Sequence, residues 1–285
     1  MIIINLSGGL GNQIFQYAFG RALSKKLNIE LKLDGNYYFS KKCINSDVPR
    51  SYLLDKFNIH ASLATIEEVK KVNSILKKIV RKVNLKIYGP ANPFDFNEKK
   101  FNKKDNQFYV GFWQNEKYFS EISEVIRQDI TLKNEMTGIS SNLMNQITNS
   151  IDATSIHVRR TDILDPKNKY GGICDGNYYK KAMDIIKEKV YSPTFFIFSD
   201  DIEWCKDNFK FEKKIYFVSN PMTKDYEELV LMSNCKHNII ANSSFSWWGA
   251  WLNKNNNKII IAPRKWLNVN EKEYKDVLPK NWIKI

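Results

Sequence analysis

The stretch Ser155–Asp162 reads SIHVRRTD and joins a short alternating apolar run to two arginines and an aspartate. Alternation of this kind is typical of a buried β-strand. Adjacent side chains at a strand end point to opposite sides, so we expect Arg159 and Arg160 to have different partners. A guanidinium group can bind a diphosphate through two parallel hydrogen bonds. The stretch therefore predicts a strand that ends at an anion site; the alternative is an exposed basic turn that pairs with surface carboxylates.

The second half of the chain alternates short apolar runs with helical patterns. Runs of strand length occupy residues 154–158, 194–198, 214–218, 237–241 and 258–262. This alternation predicts a doubly wound parallel sheet, in which ligands bind at the carboxyl ends of the strands. Three predicted strand ends carry polar residues, which we expect to converge: Arg159–Asp162, Ser199–Asp201 and Asn242–Trp248.

These strand ends suit a nucleotide. Residues 242–248 read NSSFSWW, a hydroxyl-rich turn before a helix, and such a turn can hold a phosphate at the helix N-terminus. Asp200 and Asp201 are expected to accept hydrogen bonds from a guanine edge or from ribose hydroxyls. The alternative for Asp201 is to cap the helix that begins at Ile202. Core packing is the main role predicted for Trp247, Trp248 and Trp251.

The first residues also predict a strand, a glycine loop and a helix. An apolar run at 2–6 precedes SGGLGNQ at 7–13, and apolar residues then recur at helical spacing. Glycines let the backbone approach a ligand closely. An alternative function follows, an NAD-dependent oxidoreductase, in which this loop holds the dinucleotide and Asp34 holds a ribose. The fingerprint is incomplete, because Ile14 stands where its third glycine belongs.

Length and charge limit the possible classes of protein. A chain of 285 residues predicts two lobes, which we place at residues 1–149 and 150–285. The formal charge of +13 predicts attraction to phosphates of a nucleic acid, an anionic membrane or a nucleotide-bearing substrate. A nucleic-acid-binding protein is disfavoured, because the aromatic residues lie mostly in apolar runs and no recognition module is visible.

Cysteine spacing and hydropathy give the expected compartment. The four cysteines form no CxxC pair, and the chain has only three histidines, so we predict no metal site. No basic leader with a cleavage site precedes the first strand, and no apolar run approaches about 20 residues. The expected location is the cytoplasm.

A basic amphipathic helix is predicted from Ile66 to Val83. Apolar residues recur there at helical spacing, and the other faces carry Lys70, Lys71, Lys77, Lys78, Arg81 and Lys82. One interpretation is a peripheral contact with anionic lipid at the inner face of the membrane. The alternative is an ordinary helix with a solvated basic face.

The sequence resembles the bacterial α1,2-fucosyltransferases, which take fucose from GDP-fucose. Four stretches carry the resemblance: GGLGNQIFQY at 8–17, HVRRTD at 157–162, FSDD at 198–201 and NSSFSWWGAWL at 242–252. The tail NWI at 281–283 fits as well. In order and spacing these stretches cover nearly the whole chain. Thr161 departs from the pattern, since many relatives have glycine there.

The resemblance implies an α/β fold of the GT-B type, with two Rossmann-like lobes facing a central cleft. The first lobe would serve the acceptor and the second would bind GDP-fucose. The implied reaction is an inverting transfer of L-fucose to the 2-hydroxyl of a galactose-type sugar on a glycan. The resemblance implies that no metal or other cofactor takes part. The implied setting is surface polysaccharide synthesis of the O-antigen kind, with an acceptor on a lipid carrier.

The resemblance also implies roles for individual residues. Arg159 would bind the β-phosphate, and His157 would line the guanosine pocket. The remaining donor-binding set is Gly11, Asn12, Arg160, Asp200, Asp201, Ser243, Ser244 and Phe245.

The acceptor proton needs a base, and a nearby carboxylate is the usual one. Asp162 is the first candidate and Asp165 the second. The alternative for Asp162 is a structural carboxylate that pairs with Arg160, and some relatives need no dedicated base.

Overall fold

The computed structural model describes residues 1–46, 49–73, 92–96, 98, 107–160, 168–210, 212–270, 274 and 276–285. The chain forms two compact units, Met1–Lys133 with Lys275–Val277, and Asn134–Tyr274 with Leu278–Ile285. The boundary lies earlier in the chain than the predicted position at 149/150. Helix Gly138–Asn149 belongs to the second unit, where Ser140 Oγ donates to Glu227 at 2.8 Å.

The first unit is built on a parallel sheet with the order β3-β2-β1-β4. Its helices and strands are β1 (Ile2–Asn5), α1 (Leu10–Leu27), β2 (Leu31–Asp34), α2 (Lys41–Ile44), β3 (Ser62–Leu63), α3 (Ile66–Val72), β4 (Gln107–Tyr109) and α4 (Ser123–Asp129). Short 3-10 helices lie at Asn36–Phe39, Leu54–Lys56, Glu116–Tyr118 and Ser120–Ile122. The predicted strand, glycine loop and helix are confirmed as β1, residues 6–9 and α1.

Close packing of α1 on β1 fixes the centre of this unit. The isoleucines of β1 are fully buried, as expected for a central strand. Gly20 allows the approach, because a Cβ there would stand 2.6 Å from Cγ1 of Ile4. Asn28 ends α1 in the left-handed conformation with φ of 51°, a C-terminal position that asparagine tolerates.

The second unit contains a six-stranded sheet with the order β10-β9-β8-β5-β6-β7, in which neighbouring strands are parallel. Its elements are α5 (Gly138–Asn149), β5 (Asp152–Val158), α6 (Gly176–Lys189), β6 (Pro193–Ser199), α7 (Ile202–Asn208), β7 (Ile215–Phe217), α8 (Asp225–Asn234), β8 (His237–Ile239), α9 (Ser244–Leu252), β9 (Ile260–Ala262) and β10 (Ile283–Lys284). All five predicted strands are present, and the predicted doubly wound sheet is confirmed.

Tryptophans form part of the core of the second unit. Trp247 and Trp248 are fully buried, and the Trp247 ring stacks on Trp251 with a centroid distance of 6.2 Å. Trp282 packs against Trp247 at 5.5 Å, so the C-terminal segment closes the same cluster before β10 pairs with β9. The predicted packing role of these residues is confirmed.

The predicted basic helix is described only in its first part. Helix α3 covers Ile66–Val72, and most of the remaining predicted helix, residues 74–83, lies outside the described residues. A capping box between Thr65 and Glu68 begins α3. Within the ranges described above, no helix has the length and apolar character needed to cross a bilayer.

Candidate active site

Arg159 and Ser243 meet at the carboxyl edge of the second sheet. Strand β5 pairs on one side with β6 and on the other with β8, so the residues that follow all three strands lie at one edge. Arg159 Nη1 donates to Ser243 Oγ at 3.2 Å. The predicted convergence of these two strand ends is confirmed.

Ser243 also begins helix α9. Its Oγ accepts a hydrogen bond from the backbone N–H of Phe245 at 3.3 Å, which makes it the N-cap. Ser243 is buried, whereas Ser244 and Phe245 are half-buried. The hydroxyl of Ser243 therefore orients Arg159 and the helix N-terminus, and the groups left accessible at this turn belong to Ser244 and Phe245.

Asn242 anchors the turn from behind. Its side-chain amide donates to the carbonyl oxygens of Tyr170 at 2.9 Å and Trp266 at 3.2 Å, while Cys174 Sγ donates to its Oδ1 at 3.6 Å. The sequence analysis gave Asn242 no separate role. Its position immediately before the N-cap fixes where the turn lies.

Arg160 turns to the opposite side, as the strand geometry predicts. Its backbone N–H donates to Asp200 Oδ1 at 2.8 Å, and its Nε donates to Asp201 Oδ2 at 3.1 Å. The guanidinium carbon lies 4.0 Å from the centre of the Trp204 ring, a cation–π contact that the sequence analysis did not foresee. These contacts hold Arg160 against α7.

Asp201 has structural partners on both oxygens. Oδ1 accepts from the Trp204 N–H at 3.2 Å and caps α7, while Oδ2 pairs with Arg160. The N-cap alternative is confirmed. Asp200 is exposed, so it is the more accessible of the two carboxylates for a nucleoside.

His157 lies inside the edge of the sheet. The residue is buried, and its ring centroid is 5.6 Å from that of Phe245. The Tyr179 hydroxyl donates to the His157 carbonyl oxygen at 3.1 Å. These contacts place His157 beneath Phe245 at the α9 turn.

A half-buried glutamate, Glu228, supports the neighbouring strand end. Ser199 N–H donates to Ser219 Oγ at 2.9 Å, and Ser219 Oγ donates to Glu228 Oε2 at 2.9 Å. Thr223 Oγ1 donates to the other oxygen of Glu228 at 2.7 Å. Burial raises the pKa of Glu228 to about 7, despite the hydrogen bonds from both hydroxyls. The sequence analysis missed this group, because a glutamate in an amphipathic helix looks solvated.

The glycine loop of the first unit is a tight turn between β1 and α1. Gly8 has φ of 82°, and a Cβ there would stand 2.6 Å from Nδ2 of Asn12. Gln114 Nε2 donates to Asn12 Oδ1 at 2.7 Å and fixes the orientation of that amide. Gly11 is buried in the first turn of α1. The loop therefore holds Asn12 in one orientation.

A match over the whole chain decides the family. The model of glycosyl transferase family 11 matches residues 1–285. The chain belongs to glycosyl transferase family 11.

Two bacterial relatives match this chain over nearly their whole length. An α-1,2-colitosyltransferase of Escherichia coli is 34% identical over 296 residues, which span 100% of this family 11 chain and 99% of that protein. The O-antigen biosynthesis glycosyltransferase WbnK of Escherichia coli is 33% identical and covers 98% of this chain and 99% of its own. A galactoside α-(1,2)-fucosyltransferase 1 of Oryctolagus cuniculus is 24% identical over 87% of this chain and 63% of its own.

Solved structures confirm the fold of this family 11 glycosyltransferase. The α-1,6-fucosyltransferase NodZ, soaked with GDP-fucose, superposes with a TM-score of 0.55 over 88% of this chain and 91% of its own, at 13% identity. POFUT1 in complex with GDP-fucose gives 0.53 over 91% of this chain and 97% of its own, at 13% identity. The α/β fold of the GT-B type, with two Rossmann-like units, is therefore confirmed.

The oxidoreductase alternative has no support in this family 11 glycosyltransferase. Asp34 is only 5% exposed, and both its oxygens have internal partners. Asn5 Nδ2 donates to Oδ2 at 3.1 Å, and the Asn36 side chain donates to Oδ1 at 2.7 Å. The carboxylate ties the ends of β1 and β2 together, and both of its oxygens accept hydrogen bonds within the unit.

Both candidate bases of the glycosyltransferase, Asp162 and Asp165, lie outside the described residues. Their assignment stays a prediction. Among the described residues, no three histidine, cysteine, aspartate or glutamate side chains form a group that could hold a metal ion.

Proposed function

We propose that the protein is an inverting glycosyltransferase that moves L-fucose from GDP-fucose to the 2-hydroxyl of a galactose-type sugar on a glycan. The observation that carries the proposal is the Arg159–Ser243 contact at the carboxyl edge of the second sheet. Family membership narrows the chemistry to glycosyl transfer. The names of its relatives support an α-1,2 linkage and a role in O-antigen biosynthesis for this protein.

The second unit supports binding of a nucleoside diphosphate sugar. Arg159 would bind the β-phosphate, and its guanidinium is oriented by a buried hydroxyl. The N-terminus of α9 adds the backbone N–H of Ser244, since the Phe245 N–H already donates to Ser243 Oγ. Asp200 is proposed for the nucleoside, His157 for the wall of its pocket, and Arg160 with Asp201 for holding the adjacent loop. Gly11 and Asn12 keep their proposed donor contacts.

The chemistry follows from these charges. The acceptor O2 attacks the anomeric carbon, the bond from that carbon to the β-phosphate oxygen breaks, and GDP leaves with the electron pair. Arg159 and the α9 N-terminus stabilise the negative charge that develops on the β-phosphate, so the largest catalytic contribution is electrostatic. Asp162 is proposed to take the acceptor proton, with Asp165 second. No metal ion or other cofactor is proposed.

A second donor sugar is supported by one specific observation. The colitosyltransferase relative matches the whole chain at 34% identity. Colitose lacks the 3-hydroxyl of fucose, so the two donors present the same diphosphate to Arg159 and differ only at the sugar. Discrimination between them then depends on whether the site hydrogen-bonds the 3-hydroxyl.

The proposed setting is O-antigen synthesis in the cytoplasm, with a lipid-linked acceptor. The relative WbnK carries O-antigen biosynthesis in its name. A peripheral contact with an anionic membrane through the basic segment that begins with α3 is part of the same proposal.

The decisive experiment presents GDP-fucose and GDP-colitose separately, each with a panel of galactose-terminated glycans, and determines product linkage and anomeric configuration by NMR. We expect an α1,2-linked product from GDP-fucose. A product from GDP-colitose alone would support the second donor. Transfer from neither donor, transfer to another hydroxyl, or retention at the anomeric carbon would refute the proposed reaction.

A further inference from the structure

Tyr38 and Arg50 lie beside the glycine loop of the first unit, and Tyr37 and Tyr52 pack against Tyr38. The Tyr38 hydroxyl donates to the Gly8 carbonyl oxygen at 3.0 Å. The Tyr38 ring centroid lies 5.2 Å from that of Tyr37 and 6.2 Å from that of Tyr52. A Cβ on Gly9 would stand 3.7 Å from Arg50 Nη1. Residues 37–52, in which the sequence analysis named no candidate site residue, supply all four side chains.

The segment is fixed to the loop from within. Gln13 is fully buried in α1; its Nε2 donates to the Ser51 carbonyl oxygen at 2.8 Å, and its Oε1 accepts from the Leu53 N–H at 3.0 Å. These two bonds flank Tyr52. Buried Cys43 donates through Sγ to the Arg50 carbonyl oxygen at 3.3 Å. The positions of Arg50 and Tyr52 beside the loop are therefore set by the fold.

The cluster lies where ligands bind in this class of sheet. Strands β1 and β2 are parallel and pair from Ile2–Leu31 to Asn5–Asp34, so the glycine loop and residues 35–40 follow them at the same carboxyl edge. Open α/β sheets bind ligands outside that edge.

We propose that Tyr37, Arg50 and Tyr52 form the subsite that binds the terminal pyranose of the glycan acceptor. This rests on the proposed function and deepens it. Tyr37 and Tyr52 are half-buried, so part of each remains accessible. A flat ring packs against the C–H face of a pyranose, while phenol and guanidinium groups donate to its hydroxyls. Tyr38 is buried and supports both rings.

The protonation of the cluster suits a hydroxyl-rich ligand. Burial raises the pKa of Tyr52 to about 12, and burial also raises the pKa of Tyr37, with a further contribution from the Cys43 hydrogen bond. Both phenols are protonated at neutral pH, as an ordinary tyrosine is, and can donate as well as accept. A pocket with aromatic walls and a few polar groups is the usual form of a small-ligand site.

The test compares acceptor and donor constants in five variants: Tyr37→Phe, Tyr37→Ala, Tyr52→Phe, Tyr52→Ala and Arg50→Lys. We expect the alanine variants to raise the acceptor KM tenfold or more and the conservative variants to raise it less, with the Kd for GDP at the parental value. Lys41→Gln, an exposed lysine of the same segment, is the matched control and should leave both constants unchanged.

Several outcomes would overturn the subsite. An unchanged acceptor KM in folded Tyr52→Ala and Tyr37→Ala proteins would show that the tyrosines are not part of the acceptor subsite. A loss of GDP affinity as large as the loss of acceptor affinity would assign the cluster to donor binding instead. If the alanine variants fail to fold, the phenylalanine and lysine variants decide. Saturation-transfer NMR without donor measures whether the parent protein binds a galactose-terminated glycan, and this separates the two proposals. If the parent protein binds GDP and the glycan but transfers no fucose, the proposed reaction is wrong and the proposed subsite stands.

Discussion

Arg159 and Ser243 lie 84 positions apart in the chain, and Nη1 of the arginine donates to Oγ of the serine at 3.2 Å. The same oxygen caps α9 by accepting the Phe245 N–H. One buried hydroxyl thus orients a cation and a helix N-terminus together. In the proposed mechanism the Arg159 guanidinium and the α9 N-terminus both stabilise the departing diphosphate. A variant that keeps the charge of Arg159 but not its two-pronged geometry measures the contribution of that geometry.

Arg159→Lys is expected to lose most transferase activity and to fold normally. A lysine point charge cannot reproduce a bidentate contact with a diphosphate, and it cannot keep the Ser243 hydrogen bond in the same geometry. The measurement is kcat/KM for GDP-fucose together with the melting temperature.

Arg264→Lys is the matched control, because Arg264 is an exposed arginine of the same unit. It should retain parental kcat/KM. Near-parental turnover by a folded Arg159→Lys protein would rule out the role assigned to Arg159.

Transferase activity is expected to survive chelation. In the proposed mechanism, phosphate charge is met by Arg159 and the α9 N-terminus, which need no divalent ion. The assay is turnover after EDTA treatment, with and without added manganese or magnesium. Loss of activity in EDTA that either ion restores would show that a metal takes part.

Glu228 is expected to make stability fall as pH rises from about 4.5 to 7. Burial raises its folded pKa from the ordinary 4.5 to about 7, so within this window the folded protein binds a proton that the unfolded chain has lost. The stabilisation is fully present below pH 4.5 and lost above pH 7. Two to three pKa units correspond to about 3 kcal/mol of unfolding free energy.

The Glu228→Gln variant removes this titration while keeping a group that accepts from Ser219. Its unfolding free energy, measured by denaturant titration, should rise relative to the parent by about 3 kcal/mol between pH 4.5 and 8. Glu188→Gln, on the exposed face of α6, should follow the parent profile. A Glu228→Gln profile parallel to that of the parent would contradict the assignment.

The segment that begins with α3 is expected to bind anionic vesicles weakly and in a salt-dependent way. Each basic residue near such a surface contributes about 1 kcal/mol, and the attraction decays within a Debye length. Vesicle flotation should show more protein with anionic than with neutral lipid. Changing Lys70, Lys71, Lys77 and Lys78 to glutamine should abolish the difference.

Helix α3 itself is nearly neutral, because Glu67 and Glu68 offset Lys70 and Lys71. The pair Lys70→Gln and Lys71→Gln alone should therefore have a smaller effect than the fourfold change. The exposed pair Lys180 and Lys181 on α6, changed to glutamine, is the control and should leave flotation unaltered. If equal amounts of the parent protein float with anionic and with neutral lipid, the basic residues of this segment form only a solvated face.

Local sequence patterns determined most of the second unit. Apolar runs bounded by polar turns correctly predicted β5 to β9. Four of these strands are central, where a strand buried on both faces admits few polar residues, and β7 lies at the edge of the sheet. The strand-to-helix turn at Ser243 was also readable, since its hydroxyls precede an apolar helix. The short edge strands β3 and β10 were not predicted, because two residues carry too little pattern.

The candidate site also has features that the sequence predicted and features that it did not. The sequence by itself determined which residue types gather at the carboxyl edge of the second sheet, because parallel topology brings strand ends together whatever their separation in the chain. Only the tertiary structure decided their partners: Arg159 with Ser243, and Arg160 with Asp201 and Trp204. In the first unit it likewise decided that Asp34 pairs with Asn5 and Asn36. The clustering of Arg50 and the tyrosines beside the glycine loop was not predicted from the sequence. Their proximity depends on buried Gln13, which bonds to both residues that flank Tyr52, and such long-range contacts leave no periodic trace in a chain.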